Sequence, residues 1–190
     1  YDMELPYNVY GGMQDNGSWK GPAYVWKHGG IRNSYWKELY FGDGFDVVPD
    51  PTNNRYLYAM SQEGNVARVD VKTGNTKLIQ PVHPEGKTLR YNWNAAIAVD
   101  PFEKKTIYFG AQYLFKSIDQ GQNWTPISDD LTTNDPEKQK FKESGGLTYD
   151  VTGAENYTTI LCVEPSSLEK DLLWVGTDDG NIQITRDGGE

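Results

Sequence analysis

Apolar positions along the chain fall in short runs rich in Val, Ile, Tyr and Phe, parted by clusters of Gly, Asp, Asn and Pro. Such runs predict strands, since β-branched and aromatic side chains suit a pleated surface and the intervening residues suit turns. No stretch sustains the three-to-four-residue apolar period of a long amphipathic helix. Three segments repeat one order of elements. The first runs Phe45-Asp46-Val47-Val48-Pro49-Asp50-Pro51, then Arg55 to Met60, then Val66 to Asp70. The second runs Ala95 to Pro101, then Thr106 to Gly110, then Leu114 to Asp119. The third runs Thr159 to Pro165, then Leu172 to Gly176, then Ile182 to Asp187. In each, an apolar strand ends at an acidic residue followed by Pro, a polar turn follows, and two further strands run on to an Asp. Proline stops the strand and presets the turn. The middle strand is apolar on both faces, as expected of one buried between layers.

A period of roughly 50 to 65 residues fits four-stranded blades with loops of unequal length. The fold class expected is therefore all-β, a β-propeller fragment of roughly three to four four-stranded antiparallel blades. The expected divisions are a partial blade at 1–40, a blade at 41–88, a blade with a charged insertion at 89–150, and a partial blade at 151–190. The run Asn8 to Gly17 is similar to Trp174 to Gly180, each a strand entering a Gly-rich polar turn. The chain is thus expected to begin inside one blade and end inside another, with the rest of its own propeller as a partner.

One motif sharpens this picture. Ser117-Ile118-Asp119-Gln120-Gly121-Gln122-Asn123-Trp124 matches Ser/Thr-x-Asp-x-Gly-x-x-Trp, the pattern called an Asp-box. Its chemistry is structural: the Asp carboxylate accepts bonds from turn amides, Gly supplies a positive φ, and Trp packs over the hairpin. A second copy starts at Thr185-Arg186-Asp187-Gly188-Gly189 and is expected to be cut off before its Trp.

The chain has 190 residues with 13 Tyr, 6 Trp and 20 Gly, which agrees with a β-rich core. Its net charge of −9 repels phosphate backbones and excludes nucleic acid as a partner. No apolar run is long enough to span a bilayer. The single Cys162 sits in an apolar run and is expected to be a small buried hydrophobe. His28 and His83 lack a ligand-spaced neighbour, and Asp178-Asp179-Gly180-Asn181 lacks the ligand series of a calcium loop, so neither metal nor cofactor is expected. The stretch from Ser128 through Lys142 reads as an exposed charged insertion.

Together these residues resemble bacterial secreted proteins with sortilin-like (VPS10-type) and BNR/Asp-box propellers, often labelled glycosyl hydrolase-like. The resemblance is carried by Tyr10 to Trp19, Gly42 to Asp46, Arg90 to Asn94 and the Asp-box. It implies an exported, many-bladed protein of greater length and no settled activity, since related propellers include sialidases, xyloglucanases, peptide-binding sortilins and photosystem assembly factors. The arginine-Ile/Leu-Pro entry of sialidases is missing, and xyloglucanase signatures near the catalytic acids are not evident.

In a propeller, the loops before the innermost strands and those between second and third strands open on one rim. That rim would carry Asp43, Asp46, Arg90, Tyr91, Asn92 and Trp93, and also Gln14, Asp15, Asn16, Gln62, Glu63, Gln112, Tyr113, Asp178 and Asp179. Carbohydrate sites use this mixture, with aromatics stacking on sugar faces and amides or acids bonding hydroxyls. Gln14, Asn16, Arg90, Tyr91, Trp93, Gln112 and Tyr113 are the ligand-binding candidates. Hydrolysis would need two carboxylates roughly 5 to 9 Å apart, and Asp15, Asp43 and Asp46 are the catalytic candidates. The function expected is a non-catalytic module at the cell surface binding protein, peptide or glycan. The alternatives are part of a propeller-type glycoside hydrolase and a structural or assembly module.

Overall fold

Each aligned segment becomes a strand, and the turn residues at its ends set where pairing stops. A computed structural model describes residues 1–140 and 156–189. The expected boundary at 150/151, the end of the charged insertion at Phe141 and Lys142, and Glu190 lie outside the described residues.

Strands β1 (Asn8–Met13), β2 (Gly17–Pro22) and β3 (Lys37–Tyr40) form the first sheet. β4 (Val47–Pro49), β5 (Tyr56–Ser61), β6 (Asn65–Asp70) and β7 (Thr76–Leu78) form the second. β8 (Ile97–Val99), β9 (Ile107–Gly110), β10 (Leu114–Ser117) and β11 (Thr125–Pro126) form the third. β12 (Ile160–Pro165), β13 (Leu173–Thr177) and β14 (Ile182–Thr185) form the fourth. All pairings are antiparallel between neighbours in sequence. Helix among the described residues is limited to short 3-10 turns at Asn33–Tyr35 and Gln62–Gly64. The chain is an all-β propeller fragment.

It divides into two units, Tyr1–Ser61 with Asn65–Ile79, and Gln62–Gly64 with Gln80–Glu190. In the first unit, Leu39 of the first sheet and Leu57, Ala59, Ala67 and Val69 of the second share one core, with Tyr10 and Tyr40 packed against it. In the second, Ala96, Tyr108 and Leu114 of the third sheet meet Ile160, Val163, Leu173 and Val175 of the fourth.

Register reveals a repeat finer than the one read from the sequence. Val48 lies opposite Tyr58, Ala98 opposite Tyr108 and Glu164 opposite Trp174. Pro165 therefore takes the place of Pro49 and not of Pro51 or Pro101, and the alignment on acidic-Pro pairs is off by two residues there. Asp50 and Asp100 are 2% and 4% exposed, and each accepts a hydrogen bond from the hydroxyl of the tyrosine eight residues on, Tyr58 at 3.1 Å and Tyr108 at 2.7 Å. Asp2 and Tyr10 make the same pair at 2.7 Å. In each case the Asp N–H also donates to the carbonyl six residues on, at Asn8, Tyr56 and Thr106. Ser166 keeps that bond, to Leu172, and its hydroxyl accepts from Leu168 and Glu169 N–H as Asp100 accepts from Phe102 and Glu103. Trp174 stands in the tyrosine's place, so the fourth sheet has lost the side-chain pair and kept the turn.

The sheets have two unlike faces. The face bearing Tyr10 in the first sheet, or Tyr108 in the third, packs on the face bearing Leu57 and Ala59, or Leu173 and Val175, of the next. We call these trailing and leading faces. The approach is close: a Cβ at Gly12 would fall 2.2 Å from the Gly44 backbone, and one at Gly110 would fall 2.6 Å from Ile160. Cys162 corrects the expectation made for it, for it is exposed. The β12–β13 register shifts between Ile160 and Cys162, which buries Ile160 and Val163 and turns Leu161 and Cys162 outward.

Candidate functional site

In the first unit the rim candidates sit on the β1–β2 turn and on the segment before β4. Asp15 holds a φ of 62°, and Asn16 N–H closes the turn on the Met13 carbonyl at 3.2 Å. The left-handed conformation suits Asp, which tolerates it better than bulkier residues. Asn16 Nδ2 donates to the Gln14 carbonyl and the Trp19 indole donates to the Asn16 carbonyl. Gln14, Asp15 and Asn16 are all exposed. Asp15 N–H donates to Asp43 Oδ1 at 2.9 Å, and Gly17 N–H to the Gly42 carbonyl at 2.9 Å. The two segments are thereby laced together, with Asp15 and Asp43 side by side. Asp46 is exposed, and its carbonyl accepts from Met60 N–H. The chain crowding its carboxyl costs it hydration and pushes its pKa up. The open side chain limits that effect.

In the second unit, the segment before β8 is bound down by its own side chains. Arg90 N–H donates to Gln112 Oε1 at 2.8 Å. Its guanidinium pairs with Asp130 at 2.8 Å and donates to the Thr158 carbonyl at 3.3 Å. Gln112 is 2% exposed, with its amide nitrogen donating to the Thr88 carbonyl. Tyr91 is buried, its hydroxyl donates to the Pro81 carbonyl at 3.1 Å, and its ring lies 5.7 Å from that of Phe109. Burial pushes the Tyr91 phenol well above its usual range. Tyr113 is half-buried, 5.0 Å from the His83 ring, and Trp93 is half-buried. Asn92 Nδ2 donates to Thr159 Oγ1 at 3.1 Å and to Asp178 Oδ2 at 3.2 Å, and Asp178 also accepts from Thr159 N–H and Oγ1. Asp179 accepts from Thr133 N–H at 2.7 Å. Asp130, Thr132 and Thr159 join this network without having been singled out. Asp130 and Thr132 meet Arg90 across 40 and 42 positions of chain, and Thr159 meets Asn92 across 67 and Asp178 across 19, so no local pattern announces them.

The Ser117–Trp124 turn spends its carboxylate on its own backbone. Asp119 Oδ1 accepts from Ser117 Oγ and from Gln122 and Asn123 N–H, and Oδ2 accepts from Asn123 Nδ2. Gly121, at a φ of 82°, donates its N–H to Ser117 Oγ at 2.8 Å. Partial burial opposes ionisation of Asp119, but these bonds outweigh it and hold its pKa below the ordinary value. The Trp124 ring lies 6.1 Å from Phe109. Thr185, Asp187 and Gly189 repeat the arrangement: the Thr185 hydroxyl donates to Asp187 and accepts from Gly189 N–H at 3.1 Å. Thr177, Asp179 and Asn181 form a third such turn. A carboxylate engaged this way is not free to carry a proton to a substrate.

A hollow of about 610 Å³ opens on the first sheet between Trp19 and Trp36, over Val9, Gly11 and Met13. Another of about 470 Å³ lies in the second unit beside Ile127, Leu131 and Ile184. Neither lining includes the rim carboxylates named above.

No family model matches the sequence, and no curated protein matches it. Solved structures do. The fold is similar to that of the GH74 xyloglucanase from Xanthomonas campestris, with 12% identity and a TM-score of 0.56, covering 94% of this chain and 25% of that one. It is also similar to the GH74 enzyme of Niastella koreensis, with 19% identity and a TM-score of 0.53, covering 96% of this chain and 27% of that one. The chain thus spans about a quarter of the length of these enzymes, and at such identities the likeness is one of fold.

Proposed function

We propose that the chain is a non-catalytic β-propeller module of an exported sortilin-like or Asp-box protein, binding glycan at the cell surface, with the rest of a propeller as its constant neighbour. The observation that carries this reading is where three of the rim carboxylates spend their acceptors. Asp43 accepts from Asp15 N–H, Asp178 from Thr159 and Asn92, and Asp179 from Thr133. These bonds fix the loops in shape and present exposed Gln14 and Asn16 at the surface of the first unit, where they can meet a sugar. Pre-organised amides on a loop of fixed shape are suited to recognition. The fold shared with glycoside hydrolases makes a sugar the ligand of first choice.

A second reading, a propeller-type hydrolase, draws support from Asp46, whose raised carboxyl is what a general acid requires. Titrating the chain with a panel of neutral and acidic oligosaccharides, while assaying for released reducing ends, separates the two. We expect binding that weakens severalfold in Gln14→Ala and Asn16→Ala, with no hydrolysis. Hydrolysis that disappears in Asp46→Asn would overturn the non-catalytic reading, and the absence of binding to any glycan would overturn the glycan assignment.

A further inference from the structure

The connection between β2 and β3 departs from its counterparts in length and in chemistry. β2 occupies the place of β6 and β10, and the turns that leave those strands cover only 71–75 and 118–124, whereas this one covers 23–36. It leaves β2 at the end remote from the turn that carries Gln14 and Asn16. Its base is tied down. Ala23 N–H donates to the Tyr7 carbonyl at 2.9 Å, and the Trp36 ring packs so closely on Gly21 that a Cβ there would fall 2.5 Å from it. A 3-10 turn at Asn33–Tyr35 closes the far side, with Tyr35 and Trp36 N–H donating to the Arg32 and Asn33 carbonyls at 3.0 Å. Between these anchors Trp26 is 86% exposed, the most open of the six tryptophans. Tyr24 meets it edge to face, with ring centroids 5.5 Å apart, and the Lys27 ammonium lies over the Tyr35 ring at 5.8 Å. Lys27 and Arg32 are exposed, and no carboxylate among the described residues forms an ion pair with either. From Asn16 to Lys37 the sequence holds Lys20, Lys27, Arg32 and Lys37 and no Asp or Glu, in a chain whose net charge is −9.

We propose that this connection is a binding site for an acidic polysaccharide, with a sugar ring stacked on Trp26 and the carboxylate or sulfate groups of the polymer paired with Lys27 and Arg32. The site lies at the other end of the sheet from the rim and does not rest on any ligand there. An indole left in water has apolar area to bury, and the C–H face of a pyranose covers it while the hydroxyls stay hydrated. Arg32 offers a fork of N–H donors that matches two oxygens of a carboxylate or sulfate. With no carboxylate paired to them, both cations keep their attraction for an outside anion. The net charge decides the shape of the partner. A broad anionic plane such as a bilayer meets the repulsion of the whole chain, whereas a narrow polymer can touch the loop alone, since charges more than about 8 Å away are largely screened at physiological salt.

Affinity electrophoresis of the 190-residue chain through gels holding polygalacturonate, dextran sulfate or unmodified dextran tests this, with mobility referred to a gel without polymer. We expect retardation by at least one of the acidic polymers and markedly less by dextran, the acidic pair separating carboxylate from sulfate as the group recognised. Trp26→Ala should weaken binding about tenfold, and so should Lys27→Glu combined with Arg32→Glu, while Trp26→Phe keeps most of it. The tenfold loss should recur in a Gln14→Ala background, so that failure here and failure at the rim are read separately. Should Trp26→Ala unfold, the exposed charge variants repeat the test. A protein that neither acidic polymer retards overturns the proposal, as does one that dextran retards equally. Retardation that Trp26→Ala leaves at wild-type strength also overturns it, because charge alone then accounts for the binding. So does a Trp26→Ala effect that vanishes in the Gln14→Ala background, or loop-dependent binding to phosphatidylglycerol vesicles by a protein that no polysaccharide retards.

Discussion

At the scale of single residues, the Asp–Tyr pairs do most to define the repeat. Tyr108 is fully buried, and burial together with its bond to Asp100 drives its phenol far above the normal range. Replacing Tyr108 with Phe leaves Asp100 Oδ2 buried without its partner. The expected loss is about 1–3 kcal/mol, read from the urea unfolding midpoint. Asp2 makes the same pair in a more open setting. Its burial opposes ionisation, but bonds from Asn8, Tyr10 and Glu4 prevail and lower its pKa. Asp2, Asp119 and Asp179 thus contribute stability that is complete above the unfolded carboxylate value, about 3.9, and is lost as pH falls through their lower folded values. Asp46 has the opposite sign: its raised carboxyl disfavours the folded state once pH exceeds the unfolded value. Asp46→Asn should therefore unfold at a higher urea concentration than wild type at neutral pH and at a similar one below about pH 3.5. The eight-residue spacing from Asp to Tyr stands in the sequence at 2/10, 50/58 and 100/108. It is obscured because the more conspicuous Asp-Pro and Glu-Pro pairs suggest a different alignment at Pro165. Only the pairing of Pro165 with Leu173 corrects it.

At the scale of elements, the strands were legible because their ends are marked by residues that cannot continue them. The candidate site was legible only as a set of loops. Period and turn chemistry place Asp15, Asp43 and Arg90 near strand ends, but the bond from Asp15 N–H to Asp43 and the pairing of Arg90 with Asp130 join residues 28 and 40 positions apart. Cys162 shows a related limit. An apolar run suggests a buried strand, and a register shift decides which of its residues face outward. The Ser117–Trp124 turn, by contrast, is local enough to follow from its residues. Asp119→Ala removes the acceptor of two backbone amides, so hydrogen exchange at Gln122 and Asn123 should accelerate at least tenfold, matching a loss of about 1.4 kcal/mol or more of local stability. Exchange within β5 should stay near the wild-type rate, because that strand lies in the other unit.

At the scale of the whole molecule, two units of two sheets each carry one seam of the same kind. Tyr10 and Tyr40 face Leu57 and Ala59 in one, and Tyr108 faces Leu173 and Val175 in the other. The tyrosine and the leucine recur at equivalent positions and the seam runs in the same direction, while Ala59 is exchanged for Val175, so the close packing is met by a changed partner beside a fixed pair. That directionality has a consequence for how such chains lengthen. A sheet with two unlike sides behaves as a link with a hook and an eye. Duplicating a link anywhere in the series yields another valid series, always with one hook and one eye to spare. Gains and losses of whole blades are therefore tolerated by the packing, while a reversed or half-blade insertion is not. Only a circle leaves neither end open, so the number of links is set by curvature and not by the contacts between them.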